Sequence, residues 1–285
     1  MPNARFIPTL ALVAALASSL ALPLYASDSM KPEDLVGHHL DAIGSKEARV
    51  AAKTRVVQGT AVYRIPVGGG GTIEGKTGLV SDGRKFRFMM KFQGDYRGET
   101  FIGNGDAVQV AFSNSNQSRS PLASFVTTYD ATVREALFGG VLSTAWALSD
   151  AGGRKPKLVY EGLKKMDGQQ VHQLRYLPHK HTDVQILLYF DAETFRHVKT
   201  VYSIEIGNNV GATITESIKN QPERSRLEER FSDFKTIDGL TLPTHWNIQF
   251  TRELPDGSTT ISEWDLNEGQ ITNNMGLDPH NFEMK

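Results

Sequence analysis

The residues with the best spacing for chemistry are two histidines and an aspartate in the middle of the chain. His179 and His181 are separated by one residue, and Asp183 follows at the same interval. On an extended strand such side chains point to one side, as the ligands of a metal ion must. The expected pairing of His197 with Leu188 leaves His197 about 23 Å from His181, too far to add a ligand. A solvated turn is therefore favoured over a metal site.

Other titratable clusters have simple structural interpretations. His38 and His39 are adjacent and point about 100° apart on a helix, so they do not chelate together, and His39 is expected to pack on a sheet. Glu228, Glu229 and Asp233 alternate with arginines and predict a charged outer strand face. The chain has no cysteine and no Gly-x-Ser-x-Gly or His-Glu-x-x-His motif. No enzyme activity, cofactor or metal is predicted, and a metal-dependent hydrolase is the weakest alternative.

Composition and the N-terminal residues bound the class of protein. The 285 residues include 31 Lys and Arg against 32 Asp and Glu, which argues against a nucleic-acid partner. Arg5 is followed by an apolar run that ends in Leu24-Tyr25-Ala26. This pattern is typical of a cleaved signal peptide over residues 1–26, with a membrane anchor as the alternative. We expect an exported single domain over residues 27–285 that recognises its partner by apolar surface.

Turn signals predict a mostly antiparallel β fold. Asn-Gly or Asp-Gly pairs tolerate tight hairpin turns, and five of them lie between apolar-periodic runs. They begin at Asn104, Asp82, Asp167, Asp238 and Asp256. The glycines of residues 68–71 predict a sixth connection. The predicted strands are 54–66, 72–81, 85–93, 96–103, 107–112, 157–166, 170–178, 184–190, 196–206, 212–219, 224–235, 240–252 and 258–271.

Alternation along these strands identifies one buried face. The clearest example is residues 85–93, where apolar side chains alternate with basic ones. Ten inward-facing residues are predicted to line an apolar interior: Phe86, Phe88, Met90, Phe92, Ile186, Leu188, Phe190, Trp246, Ile248 and Phe250. Each of them also suits a filled core.

Two helical regions are predicted to cover the sheet. Residues 35–65 predict an amphipathic helix ending at Gly44, a second helix capped by Ser45, and then a long strand. A helical insertion at about residues 120–149 opens with Ser120-Pro121, and residues 141–149 predict a further helix. A sheet of ten or more strands must curl. The sequence predicts a mainly β half-barrel with a helical plug, and a closed lipocalin-type barrel is the alternative.

Three passages resemble one bacterial family. LVGHHLDAIGSKEARVAAKTRVVQGTA resembles the helix-then-strand entry of outer-membrane lipoprotein-sorting proteins of the LolA/LolB type. RLEERFSDFKTIDGLTLPTHWNIQF is similar to their late hairpin, and ITNNMGLDPHNFEMK is similar to their ending. The resemblance implies an unclosed antiparallel half-barrel whose apolar cavity takes up acyl chains in the periplasm. This chain is longer than the simplest carriers, and no lid-gating residue can be carried over.

The resemblance therefore suggests a monomeric periplasmic carrier for lipoprotein acyl chains or other lipids, with a role in lipoprotein sorting and outer-membrane biogenesis. An envelope membrane protein is the expected donor or acceptor. The alternative is an interaction module that senses envelope lipoproteins or lipid and binds a membrane-protein partner.

Overall fold

The computed structural model describes residues 30–112, 119–207 and 222–284. The signal peptide predicted over residues 1–26 and the strand predicted over residues 212–219 lie outside these ranges. None of the described helices is long and apolar enough to cross a membrane.

Twelve strands and five helices make up the described part of the chain. The helices are α1 (Pro32–Ile43), α2 (Lys46–Ala51), α3 (Pro121–Thr128), α4 (Ala131–Arg134) and α5 (Ala151–Arg154). The first strands are β1 (Thr54–Val67), β2 (Thr72–Asp82), β3 (Lys85–Phe92), β4 (Glu99–Gly103) and β5 (Val108–Phe112). The later strands are β6 (Lys157–Met166), β7 (Gln169–Leu177), β8 (Gln185–Asp191), β9 (His197–Ile206), β10 (Glu223–Ile237), β11 (Leu240–Glu253) and β12 (Thr259–Asn273).

All twelve strands form one antiparallel sheet in the order β5-β4-β3-β2-β1-β12-β11-β10-β9-β8-β7-β6. Two meanders, β1 to β5 and β6 to β12, are joined by the pairing of β1 with β12. Strands β5 and β6 lie at opposite edges, and no pairing of described residues joins them. The sheet is therefore unclosed, which confirms the predicted half-barrel over the closed alternative.

The predicted turns connect the strands as expected. Asp167-Gly168 and Asp238-Gly239 each have two consecutive positive φ angles, at 51° and 86° and at 50° and 76°. This conformation matches the right-handed twist of the flanking strands in a two-residue hairpin. The glycine run at residues 68–71 joins β1 to β2.

Helices α1 and α2 pack near the β10–β11 turn. Ser45 caps α2 by accepting a hydrogen bond from the backbone N–H of Ala48 at 3.2 Å. A Cβ on Gly44 would lie 2.5 Å from the carbonyl oxygen of Gly239. Glycine is therefore needed at residue 44 for the close approach of the α1–α2 junction to the hairpin turn.

Residues 120–154, here called the middle segment, connect the two edges of the sheet across one face. This face, with its helices, is called the covered face. Helices α3 and α4 lie within the predicted insertion, but the further helix predicted at residues 141–149 is wrong: the chain forms 3₁₀ turns at Gly140–Leu142 and Ala147–Asp150. Positive φ angles at Gly139 and Gly140 turn the backbone there, and Val141, Leu142 and Trp146 are buried against the sheet. Packing on the sheet thus overrides local helix propensity.

The strands follow the predicted alternation, with one correction on β10. Glu228 lies on the charged outer face, where it pairs with Lys199 at 2.5 Å. Glu229 points the other way and is fully buried under the middle segment. Adjacent strand residues face opposite sides, so the two glutamates cannot share the predicted outer surface.

Candidate functional site

The ten predicted interior residues all lie in one buried apolar cluster beneath the middle segment. They are Phe86, Phe88, Met90, Phe92, Ile186, Leu188, Phe190, Trp246, Ile248 and Phe250, and none is more than 3% exposed. Their burial is observed, and their contact with a bound ligand stays a prediction.

The centre of this cluster is filled by a side chain of the middle segment. The ring of Phe138 lies 5.6 Å from that of Phe88 and 5.2 Å from that of Trp246. Phe88 and Trp246 are themselves 4.6 Å apart between ring centroids. Phe138, in the turn after α4, therefore fills this part of the apolar cluster from the middle segment. A ligand that entered the centre would have to displace this ring.

Buried hydrogen bonds tie the middle segment to the sheet. The Glu229 carboxylate accepts hydrogen bonds from the backbone N–H of Gly139 and from the hydroxyl of Tyr202, both at 2.7 Å. Burial raises the pKa of Glu229 to about 8, although both hydrogen bonds favour the ionised form. Glu229 is therefore mostly protonated at neutral pH. Its hydrogen bonds link Gly139 of the middle segment to β9 and β10 of the sheet.

A histidine pair joins α1, the middle segment and β9. The ring of Trp146 donates to Nε2 of His39 at 3.0 Å, so Nδ1 of His39 carries the proton that it donates to the carbonyl oxygen of Phe195. Burial lowers the pKa of His39 to about 4. Burial also lowers the pKa of His197 well below its ordinary value, and repulsion between the two rings when both are protonated lowers it further. Both rings are neutral at pH 7. The burial of His39 and its hydrogen bonds to Trp146 and Phe195 confirm that His39 packs on the sheet.

Register explains why the sequence misplaced His197. It pairs with Phe190 rather than Leu188, because the backbone N–H of Asp191 donates to the carbonyl oxygen of Arg196 at 2.9 Å and the turn therefore spans residues 192–195; the β8–β9 pairing shifts by one further residue between Tyr189 and Phe190. Its ring stacks on Trp146 at 4.8 Å between centroids. A one-residue irregularity of this kind leaves no signal in the apolar pattern.

No metal centre is found among residues 30–112, 119–207 and 222–284, where no group of three His, Cys, Asp or Glu residues is placed to hold an ion. His179, His181 and Asp183 are exposed in the loop between β7 and β8. The predicted solvated turn describes their position.

One opening into the covered face lies beside α3 and is called the α3 cleft. It has a volume of 380 Å³. Its apolar wall is formed by Phe125, Tyr129, Ile206 and Phe250, with the rings of Phe125 and Phe250 5.4 Å apart. Phe250 is the predicted interior residue that borders this cleft. Its rim also carries charges of both signs, and the α3 cleft thus leads from solvent to the apolar cluster.

A second opening, the α1–α2 cleft, separates α1 and α2 from residues 141–149. Its volume is 280 Å³. Leu40, Ile43, Val141, Trp146 and Leu240 provide apolar lining, and Lys46, Arg49 and Arg55 provide positive charge.

Arg55 borders this cleft, although it is not among the site residues predicted from the sequence. Its Nη1 donates to the carbonyl oxygen of Val141 at 2.7 Å, and its Nε donates to Oδ1 of Asn273 at 2.8 Å. Burial lowers the pKa of Arg55 to about 10, so the guanidinium stays charged at neutral pH. The sequence signal for it was its strand phase, because residue 55 shares the inward face of Val57 and Ala61.

Comparison with known proteins gives structural neighbours only. No family model and no curated protein matches the chain. A LolA superfamily protein from Nitrosomonas europaea is 15% identical with a TM-score of 0.47, over 90% of this chain and 98% of that one. A domain named for outer membrane lipoprotein sorting, from Vibrio parahaemolyticus, is 12% identical with a TM-score of 0.43, over 88% and 97%. A DUF1329 family protein from Desulfovibrio piger is 14% identical with a TM-score of 0.39, over 89% and 98%.

These identities and TM-scores are low, and the fold is assigned from the strand order of the chain itself. The first two neighbours carry the family description that the three sequence passages suggested. This chain, an unclosed antiparallel half-barrel with a helical cover, is similar to these LolA-type proteins.

Proposed function

We propose that this chain is a periplasmic carrier or binding protein that holds acyl chains of lipoproteins or other lipids without covalent chemistry. The observation that supports this most is the covered face, an unclosed sheet lined with apolar side chains and open to solvent at the α3 cleft. Removal of residues 1–26 and location in the periplasm belong to the same proposal. N-terminal sequencing of the exported protein tests both.

The physical need for such a protein is clear. Each acyl methylene gains about 0.8 kcal/mol on leaving water, so a multi-chain lipid does not cross an aqueous compartment unaided. An escort needs an apolar interior and a cover that can move. The described helices of the middle segment have only four to eight residues, too few to be stable without the sheet beneath them. The cover is therefore held by its contacts and can rearrange when they change.

The α3 cleft is the expected entry for an acyl chain. Ile206 is 45% exposed at its wall, so Ile206→Asp adds a charge without disturbing the core. A carboxylate against an acyl chain is poorly solvated, and we expect at least about tenfold weaker binding, or about 1.4 kcal/mol. Isothermal titration with a lysophospholipid measures the change.

Leu163→Asp is the matched control, because Leu163 is 52% exposed on edge strand β6 and does not border the α3 cleft. It should bind the lysophospholipid like the wild type. Equal binding by both variants would contradict entry at the α3 cleft. Absence of any acyl binding by the wild type would contradict the proposed function.

Transfer to a membrane-protein partner stays a prediction, as does sensing without transfer. A carrier should move labelled lipid between donor and acceptor vesicles, and a sensing module should bind the lipid and retain it.

A further inference from the structure

The α1–α2 cleft combines an apolar lining with an excess of positive charge. Lys46, Arg49 and Arg55 border it, and no aspartate or glutamate of the described residues does. The α3 cleft differs, because its lining includes a carboxylate: Glu223 pairs with Arg252 at 2.7 Å, beside one further cation, Arg119. Charge complementarity therefore favours an anion in the α1–α2 cleft specifically.

Arg55 supplies the strongest reason to expect a ligand there. It is only 4% exposed, and its hydrogen bonds go to neutral acceptors. Within the described ranges it has no carboxylate within ion-pair distance, and its Nη2 makes no hydrogen bond. The charge of Asp238 raises the pKa of Arg55 without a direct contact. Asn273 lies between the two side chains: it accepts from Arg55 and donates to Asp238 at 3.0 Å. A buried guanidinium without a direct counter-ion is costly, and an anion beside it offsets that cost.

The other charged groups near the cleft leave the excess in place. Arg49 lies 3.5 Å from Asp41, whose side chain is 81% exposed, so solvent screens this pair. Glu47 is fully exposed, and its pKa is lowered by hydrogen bonds at the start of α2, with its own backbone and with Ser45. Asp150 is paired with Arg84 at 2.5 Å. None of these three carboxylates, Asp41, Glu47 and Asp150, is thus paired with Arg55.

The apolar lining determines what kind of anion fits. Leu40, Ile43 and Trp146 lie beside the three cations, and Val50 is 66% exposed at the rim. Small-molecule pockets are commonly about 300–1,000 Å³, and this cleft, at 280 Å³, is at the lower end. It has room for a small charged head group and the first part of one chain.

We propose that the α1–α2 cleft binds the anionic head group of a single-chain amphiphile, a carboxylate or a phosphate ester, with the adjoining chain on its apolar lining. This inference rests on the proposed acyl-binding function and adds the charge of the ligand to it. Charge-assisted hydrogen bonds contribute about 1.5–3 kcal/mol, which corresponds to roughly ten- to a hundredfold in affinity.

The test compares ligands that share one chain and differ in charge. Laurate, dodecyl phosphate, dodecanol and dodecyltrimethylammonium are titrated into the full chain by calorimetry, with inorganic phosphate as the free anion. We expect laurate and dodecyl phosphate to bind at least tenfold more tightly than dodecanol, and the cation most weakly. Inorganic phosphate binding as tightly as dodecyl phosphate would overturn the proposal, because the chain would then contribute nothing.

The variant Lys46→Gln/Arg49→Gln removes two cations that lie outside the apolar cluster, together with the hydrogen bond that Arg49 donates to the carbonyl oxygen of Gly44 at 3.0 Å. It should lose about tenfold in laurate affinity and keep its dodecanol affinity. The control Lys164→Gln/Lys165→Gln makes the same charge change at two exposed residues of β6 and should bind laurate like the wild type. Equal affinity for laurate and dodecanol, unchanged in the cleft variant, would overturn the inference while the proposed function stands. Failure of every amphiphile to bind would overturn both.

Discussion

Glu228 and Glu229 are adjacent on β10, but their surroundings shift their pKa values in opposite directions. The pKa of Glu228 is lowered, because the hydrogen bond and charge of Lys199 outweigh the effect of burial. Glu229 faces the interior, where burial raises its pKa to about 8. The ionised forms of these neighbours therefore have opposite effects on stability.

Glu229→Gln should remove a loss of stability that develops as pH rises from about 4.5 to about 8. The folded protein retains this proton up to about pH 8 and the unfolded chain releases it near 4.5, so wild-type stability falls as pH rises between these values. The slope reaches about 1.4 kcal/mol per pH unit. Glutamine does not ionise; its amide oxygen can accept from the N–H of Gly139, and its amide nitrogen can donate to the hydroxyl oxygen of Tyr202. Urea unfolding should show the variant gaining on the wild type from pH 5 to pH 8.5.

Glu228→Gln is the control with the opposite sign. Because the pKa of Glu228 is lowered, its contribution is present above about pH 4.5 and is lost in acid. This variant should be less stable than the wild type at pH 7. Parallel pH profiles for wild type and Glu229→Gln would show that Glu229 does not carry a raised pKa.

His39 should make the fold sensitive to acid. Its folded pKa of about 4 lies below the ordinary 6.5, so its contribution is complete above pH 6.5 and is lost as pH falls towards 4. Denaturant unfolding should show that the stability of His39→Gln falls less steeply in acid than that of the wild type, because unfolding of the variant takes up as much as one proton fewer. The variant should also lose about 1–3 kcal/mol at pH 7 with the bonds to Trp146 and Phe195. An acid profile of His39→Gln that matches that of the wild type would contradict the assignment.

At the scale of elements, the middle segment depends on glycine where it turns over the sheet. Gly140 has a φ of 52°, and a Cβ there would lie 2.9 Å from Nδ1 of His197 and 3.0 Å from Cζ of Phe231. Both neighbours are buried rings with little freedom to move. The backbone and the packing both require glycine at this position.

Gly140→Ala should lower the free energy of unfolding by about 2–3 kcal/mol, from the positive φ and the ring contacts together. Gly152→Ala is the matched control in the same segment, because a Cβ on Gly152 would meet no described atom within 4 Å and its φ is not positive. It should be neutral or stabilising by up to about 1 kcal/mol. Chemical denaturation of both variants checks the difference. Equal stabilities would mean that the turn at Gly140 relaxes freely.

Strands and turns followed from the sequence because their signals are local. The alternation in β3 and the Asp-Gly turn at Asp167 each depend on a few neighbouring residues. The pairing of β1 with β12 joins distant residues such as Arg55 and Asn273, and no local pattern encodes it. The 3₁₀ turns near Trp146 and the burial of Arg55 also arise from tertiary packing. The predicted apolar residues were therefore found, while the two clefts and their charges were not.

At the scale of the whole molecule, the sheet has one face for packing and one for solvent. Met90 is fully buried on the covered face, and its neighbour Met89 is 41% exposed on the other. Met90→Ala should cost about 2–5 kcal/mol of unfolding free energy, and Met89→Ala within about 0.5 kcal/mol. Thermal and urea unfolding test this pair, and similar losses would contradict the assignment of the two faces.

The central claim is that the covered face binds acyl chains. Trp146, Trp246 and Trp264 are all buried in the apolar cluster, so a chain bound there must lie near tryptophan. The direct measurement is quenching of their fluorescence by stearate brominated in mid-chain, with plain stearate as competitor and aqueous bromide as control. The proposed function predicts saturable quenching that plain stearate reverses and bromide does not reproduce. Absence of saturable quenching would contradict it.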